Sequence, residues 1–160
     1  MKEISYDRER AVAYARRWAL GRNPAYCDFA GLGGDCTNFA SQCLYAGAGV
    51  MNFAPTFGWY YRSLNDRAPA WTGVQYLYNF LIKNRSAGPF ASVAAQSEVQ
   101  PGDLVQLARE DGTFYHTPVI TATAPVILVA AHDVDSLDRP LDTYSFASLR
   151  FLHIEGVRAW

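Results

Sequence analysis

The spacing of apolar residues changes once along this chain, at Pro101-Gly102, and that change limits the folds open to it. Before it the pattern is helical. Val12, Ala15 and Ala19, with Trp18 beside them, predict a helix over 7–20. Asp7 and Glu9 sit at its positive end, Arg16 and Arg17 at its negative end, and Gly21 is its stop. Cys36, Phe39, Ala40, Cys43 and Leu44 recur at helical spacing and predict a second helix with one buried stripe, capped by Asp35 and ended by Gly47. Thr72-Gly73-Val74-Gln75 has the form of a capping box and opens a third, with Val74, Leu77, Tyr78 and Leu81 as its apolar face. After Pro101 the runs are short and rich in β-branched residues. They predict strands at 104–107, 115–121 and 126–132 and one within 149–157, with Asp111-Gly112 as a hairpin turn. Helices first and an antiparallel sheet afterwards is an α+β order, not an alternating one.

A chain of 160 residues fits one domain, 1–160. Half its residues are hydrophobic and 18% are charged, which excludes global disorder. A net charge of -1 argues against a nucleic-acid partner. The longest apolar run, 124–131, falls short of the roughly 20 residues a membrane helix needs, so no membrane insertion is expected. Residues 1–7 lack a basic region followed by an apolar one. This chain therefore reads as having no signal peptide, and is either cytoplasmic or one domain of a longer secreted protein. A monomer is expected. Cys27, Cys36 and Cys43 are odd in number and form no C-x-x-C, which argues against a disulfide framework, a zinc finger or a thioredoxin-type site. Three cysteines and three histidines carry the chemistry available near neutral pH.

Gly31-Leu32-Gly33-Gly34-Asp35-Cys36 places a thiol in the first turn of a helix after a glycine-rich approach. The helix's positive end favours the thiolate, and its free N–H groups could hold an oxyanion. The same position also suits a buried packing cysteine. A thiol nucleophile needs a base, normally histidine. His116 opens one predicted strand and His132 closes the next. A turn centred on Ala124 would pair them across the hairpin, on one face, with Asp133 on the other. A longer loop would shift that register. His153 reads as structural and Cys43 as core packing, while Cys27 is left open. Trp59, Tyr60, Tyr61 and Trp71 could wall a groove or cover the core, and Arg62 and Arg67 could bind a carboxylate or be solvated.

Gly33-Gly34-Asp35-Cys36-Thr37-Asn38-Phe39-Ala40-Ser41-Gln42, with the helix Tyr14-Ala15-Arg16-Arg17-Trp18-Ala19, resembles the putative amidase domain family. So do Gly58-Trp59-Tyr60-Tyr61, Trp71-Thr72-Gly73-Val74, Pro101-Gly102-Asp103-Leu104-Val105-Gln106 and His116-Thr117-Pro118-Val119-Ile120. The resemblance implies a papain-like fold related to NlpC-type and CHAP-type cell-wall enzymes. It also implies a cysteine amidase or peptidase acting through a thioester, on peptide-like or peptidoglycan-derived substrates, without a cofactor. It assigns Cys36 as nucleophile, His116 as general base and His132 as the third polar residue, with Asp133 as fallback. Tyr26, Asp35, Trp59 and Trp71 are the candidate oxyanion- and substrate-binding residues. Two alternatives stand beside this reading. One is a zinc hydrolase with Cys36, His116 and His132 as ligands; the other is a non-catalytic peptide- or wall-binding module on the same fold.

Overall fold

The computed structural model describes residues 1–160. Its elements run β1 (Lys2–Ile4), α1 (Arg8–Trp18), α2 (Cys36–Ala48), β2 (Tyr61–Ser63), β3 (Asp66–Arg67), α3 (Pro69–Thr72), α4 (Val74–Lys83) and β4 (Gly88–Ala94). They continue as β5 (Leu104–Ala108), β6 (Phe114–His116), β7 (Val119–Ala122), β8 (Leu128–Ala131), β9 (Ser136–Pro140) and β10 (Ser148–Ala159). The architecture is α+β. An antiparallel eight-stranded sheet has the path β1-β10-β5-β7-β8-β9, with β4 also on β10 and β6 on β5. Alternate strand residues face opposite ways. Leu104, Val119, Ala130 and Leu152 join the core beneath the helices, while Val105, Ile120, Val129 and Phe151 join a smaller core on the other face.

The helix α1 starts at Asp7, whose carboxylate accepts the Arg10 N–H at 3.0 Å. Its buried stripe is Ala11, Ala15 and Ala19 rather than one built on Val12, so α1 meets its neighbours through small side chains. Arg8 then ties it to the sheet, donating to the Asp103 carboxylate at 2.7 Å and the Ile154 carbonyl at 2.7 Å. Asp103 also accepts the Ile154 N–H and the His153 ring nitrogen, which gives His153 a structural partner.

Two helix boundaries differ from expectation. The helix α2 runs past Gly47 to a left-handed Gly49. Gly47 serves instead as a contact point, because a Cβ there would sit 2.5 Å from the Tyr6 ring and 2.7 Å from the Asp7 carbonyl. Thr72 is the last residue of the short α3, and its hydroxyl accepts from Arg67. The N-cap of α4 is Gly73, which offers no side-chain cap.

The whole of α2 from Cys36 to Leu44 is buried, not one stripe of it. Its polar residues are individually matched. Asn38 takes the Trp71 indole N–H at 3.0 Å, Ser41 takes that of Trp59 at 3.1 Å, and Gln42 accepts the Tyr14 hydroxyl. Buried polar groups are tolerated when paired in this way. No helix of the structure is long and apolar enough to cross a membrane.

Candidate active site

The thiol of Cys36 lies at the first residue of α2, against β6 and the chain just beyond it. It stands 3.9 Å from the Tyr115 carbonyl and 3.6 Å from the Thr37 hydroxyl. The Thr117 N–H also points at the sulfur. The sulfur therefore touches backbone on both sides of His116. Behind it, the Thr37 hydroxyl meets that of Thr117 at 3.1 Å, and the buried Gln106 amide donates to Thr117 and to the Val74 carbonyl. These contacts fix α2 to β5 and β6 at the level of the thiol.

Asp35 does not cap the helix with its side chain. Its carboxylate turns back to accept the Phe29 N–H at 2.8 Å, the Asn38 amide at 2.9 Å and the His132 Nδ1 at 2.6 Å. No protein acceptor takes the N–H groups of Cys36 and Asn38, so the first turn keeps free donors beside the thiol. Asp35 itself has no free oxygen for a substrate. Burial pushes its pKa up, but the His132, Phe29 and Asn38 hydrogen bonds outweigh that and hold it below the ordinary value.

The expected pairing of His116 with His132 is not formed. Val119 pairs with Ala130 and Ile120 with Val129, one residue off a turn centred on Ala124, and the register shifts again before Ala122. The loop 123–127 is too long for the tight turn. His116 meanwhile lies in β6, which pairs with β5 through Leu107. Both candidates for the third position go elsewhere. His132 is buried, stacks on Phe39 at 4.2 Å and holds Asp35. A carboxylate only accepts, so Nδ1 carries a proton; Nε2 faces the Trp18 carbonyl at 2.9 Å and an Arg22 nitrogen at 3.1 Å. Asp133 takes the Asp35 N–H on both oxygens, at 2.9 and 3.0 Å. Both residues fasten the start of α2 and neither supports His116.

The thiol is not shifted in the direction expected of a helix start. Burial pushes the Cys36 pKa above its usual value, the Asp133 charge adds to this, and the Thr37 and Thr117 hydrogen bonds only partly oppose it. His116 is depressed to about 4, by burial first and by the Arg139 charge second. Both groups therefore rest uncharged at neutral pH, as thiol and imidazole.

The aromatic residues form a packed cluster. Trp59 and Trp71 are both 0% exposed, 4.8 Å apart between ring centroids, so neither lines a groove. Tyr26 stacks on Trp71 at 6.0 Å and tilts against Tyr61 at 5.1 Å; burial, then Tyr45 and Tyr61, raise its pKa to about 12. It belongs to this cluster. Cys43 is fully buried in the main core, and the three cysteines are unpaired.

An α+β chain with a thiol at a helix start and a histidine on the adjoining strand is the class of molecule in hand. Residues 5–154 match the model of the putative amidase domain, and the chain belongs to that family, whose description is that of an amidase-type hydrolase. It is 34% identical over 124 residues to the uncharacterized protein YhbB of Bacillus subtilis (strain 168), an alignment covering 76% of this chain and 39% of that protein. The aligned part of the chain thus spans well under half the length of that relative. No solved structure matches it.

Proposed function

We propose that the chain is a cysteine-dependent amidase or peptidase of papain-like type, with Cys36 as nucleophile and His116 as general base. The observation that carries the reading is the Cys36 sulfur held against the backbone on both sides of His116, beside the unused N–H groups of α2. His116, neutral at pH 7, takes the thiol proton as sulfur attacks the amide carbonyl carbon. The tetrahedral oxyanion forms near the start of α2, where the Cys36 N–H is free to donate. The imidazolium then protonates the leaving amine. Water, deprotonated by the same imidazole, adds to the thioester and releases the acid with the thiol restored. Cell-wall peptides are the proposed substrates, from the resemblance to wall-cleaving enzymes.

The zinc reading needs Cys36, His116 and His132 to converge. His132 is committed to Asp35, and no group of three such side chains comes together. The test is amide hydrolysis of peptidoglycan fragments by wild type, Cys36→Ala and His116→Ala. The expected result is loss of turnover by at least about a hundredfold in both variants. Undiminished product with Cys36→Ala would sink the mechanism.

A further inference from the structure

Four aromatic residues of this chain are exposed: Phe53, Phe57, Tyr76 and Trp160. All four line one trough, made of three adjoining hollows along α4 and the loop that follows α2. The central hollow, about 480 Å³, has the buried Ala70 and Phe80 in its lining and carries Phe57 and Tyr76. It shares Asn52, Ala54 and Ser86 with a hollow of about 610 Å³ that Phe53 and Trp160 line. It shares Tyr76 with one of about 360 Å³ bounded by Arg67 and Thr72. Exposed rings gathered in one place mark a binding surface.

The rings are held on fixed backbone. Asn52 and Trp59 exchange both main-chain hydrogen bonds at 2.8 Å, and the Gly58 N–H closes on the Ala54 carbonyl at 3.0 Å. A Cβ at Gly58 would lie 2.4 Å from the Asn52 and Ala54 carbonyl oxygens, so only glycine lets the loop fold back this tightly. The Asn52 side chain ties the same loop to Ser86 and Ala87. Rings already held in place cost little to order on binding.

Charge selects the ligand. No aspartate or glutamate lines any of the three hollows, whereas Arg67, Lys83 and Arg85 do, and none of these cations is in an ion pair. Amides and hydroxyls separate the rings: Asn79, whose carbonyl oxygen accepts from Gln75 and whose N–H groups are free, with Thr56 and Ser86. An apolar helix would need a continuous apolar groove instead. A pyranose ring fits this alternation, because its C–H face lies flat on an aromatic ring while its rim hydroxyls need polar partners. Unpaired cations call for carboxylates on that sugar. The Arg67 end also adjoins the thiol. Arg67 lies 4.5 Å over the ring of Phe29, whose N–H Asp35 holds, and the Val74 carbonyl just past Gly73 accepts the Gln106 amide that donates to Thr117.

We infer that this trough binds an acidic polysaccharide strand, with sugar rings on Phe57 and Tyr76 and carboxylates on Lys83, Arg85 and Arg67. That such a strand would carry its amide towards Cys36 rests on the cysteine-hydrolase reading; the binding itself does not.

The experiment is calorimetric titration of the Cys36→Ala chain, so that turnover cannot intervene. Two probes are compared: peptide-free peptidoglycan glycan strands, with a carboxylate on every second sugar, and neutral chitin oligosaccharides of the same length. The carboxylated strand is expected to bind about tenfold or more tightly than chitin, the weight of charge-assisted hydrogen bonds. Replacing Lys83 and Arg85 together by alanine should abolish that preference and leave chitin binding unchanged. Phe57→Ala removes a ring that is 86% exposed, so the fold should survive, and both probes should bind about fivefold more weakly. Equal affinity for the two probes, binding that ignores Phe57→Ala, or no binding of either at millimolar concentration would overturn the inference. So would a dimer that forms through these rings and excludes both sugars. A wild-type chain that binds the strand yet hydrolyses no amide would leave the inference standing and remove the cysteine mechanism.

Discussion

His132 illustrates how a residue with catalytic credentials can be spent on structure. Its ring and the Asp35 carboxylate are 2% and 1% exposed, so protein groups replace water around both. Arg22 stands farther from that carboxylate, at 3.6 Å. Removing one member of a buried pair leaves the other charge stranded, at about 3 kcal/mol or more. His132→Ala is expected to lose that much in urea unfolding at pH 7. The depressed Asp35 contributes stability above the carboxyl range of the unfolded chain and loses it as pH falls through its folded value. The gap between wild type and variant should therefore narrow below about pH 4; a constant gap would mean His132 acts through packing on Phe39 instead. Asp133 makes the opposite kind of prediction. Its charge helps keep the Cys36 thiol protonated, while an asparagine could still accept the Asp35 N–H. Asp133→Asn should raise the rate of Cys36 alkylation at pH 8 severalfold, followed by intact mass, whereas an unchanged rate would remove Asp133 from the thiol's electrostatics.

Among the elements, α2 is the one on which the site depends, and its seating on α1 rests on Gly47. The Asp7 N–H donates to the Gly47 carbonyl at 2.9 Å, and a methyl group at 47 would collide with both Tyr6 and the Asp7 backbone. Gly47→Ala gains helix propensity but forces the helices apart. The net loss should be about 1–3 kcal/mol, the usual cost of overpacking, seen as a lower melting temperature; a more stable variant would show that the contact yields. The helices and the α+β order were legible because apolar periodicity is local. So was the Cys36 helix start, because glycine approach and apolar stripe adjoin in sequence. The partner of His116 was not legible. Hairpin register depends on loop length, and 123–127 carries no glycine to mark its turn. One residue of slip, with β6 paired to β5 instead, sent His132 and Asp133 to α2. Thr37, Thr117 and Gln106 were missed for a related reason. Polar residues inside strands and helices read as solvent-facing until another element covers them. Trp59 and Trp71 read as groove lining because their indole partners, Ser41 and Asn38, are far away in sequence.

For the molecule as a whole, the burial that makes His116 available as a base also makes the fold sensitive to acid. In the folded chain His116 takes up its proton at about 4, because burial and Arg139 oppose the charge. In the unfolded chain a histidine does so near 6.5. Between these values the unfolded state binds more protons, so stability rises with pH and is lost as pH falls from about 6.5 towards 4. The loss is on the order of 3 kcal/mol when complete. It precedes the carboxylate loss at Asp35, which begins only at lower pH. Urea midpoints measured at pH 7, 5.5 and 4 should fall most between the last two, with the slope of each transition unchanged. The control is His116→Gln, which fills much the same space and cannot charge in this range. It should flatten the profile between pH 6.5 and 4 while leaving the decline below pH 4 intact. If the variant keeps the wild-type slope across that interval, the proton that destabilises the fold binds elsewhere, and His116 is not held neutral by its burial.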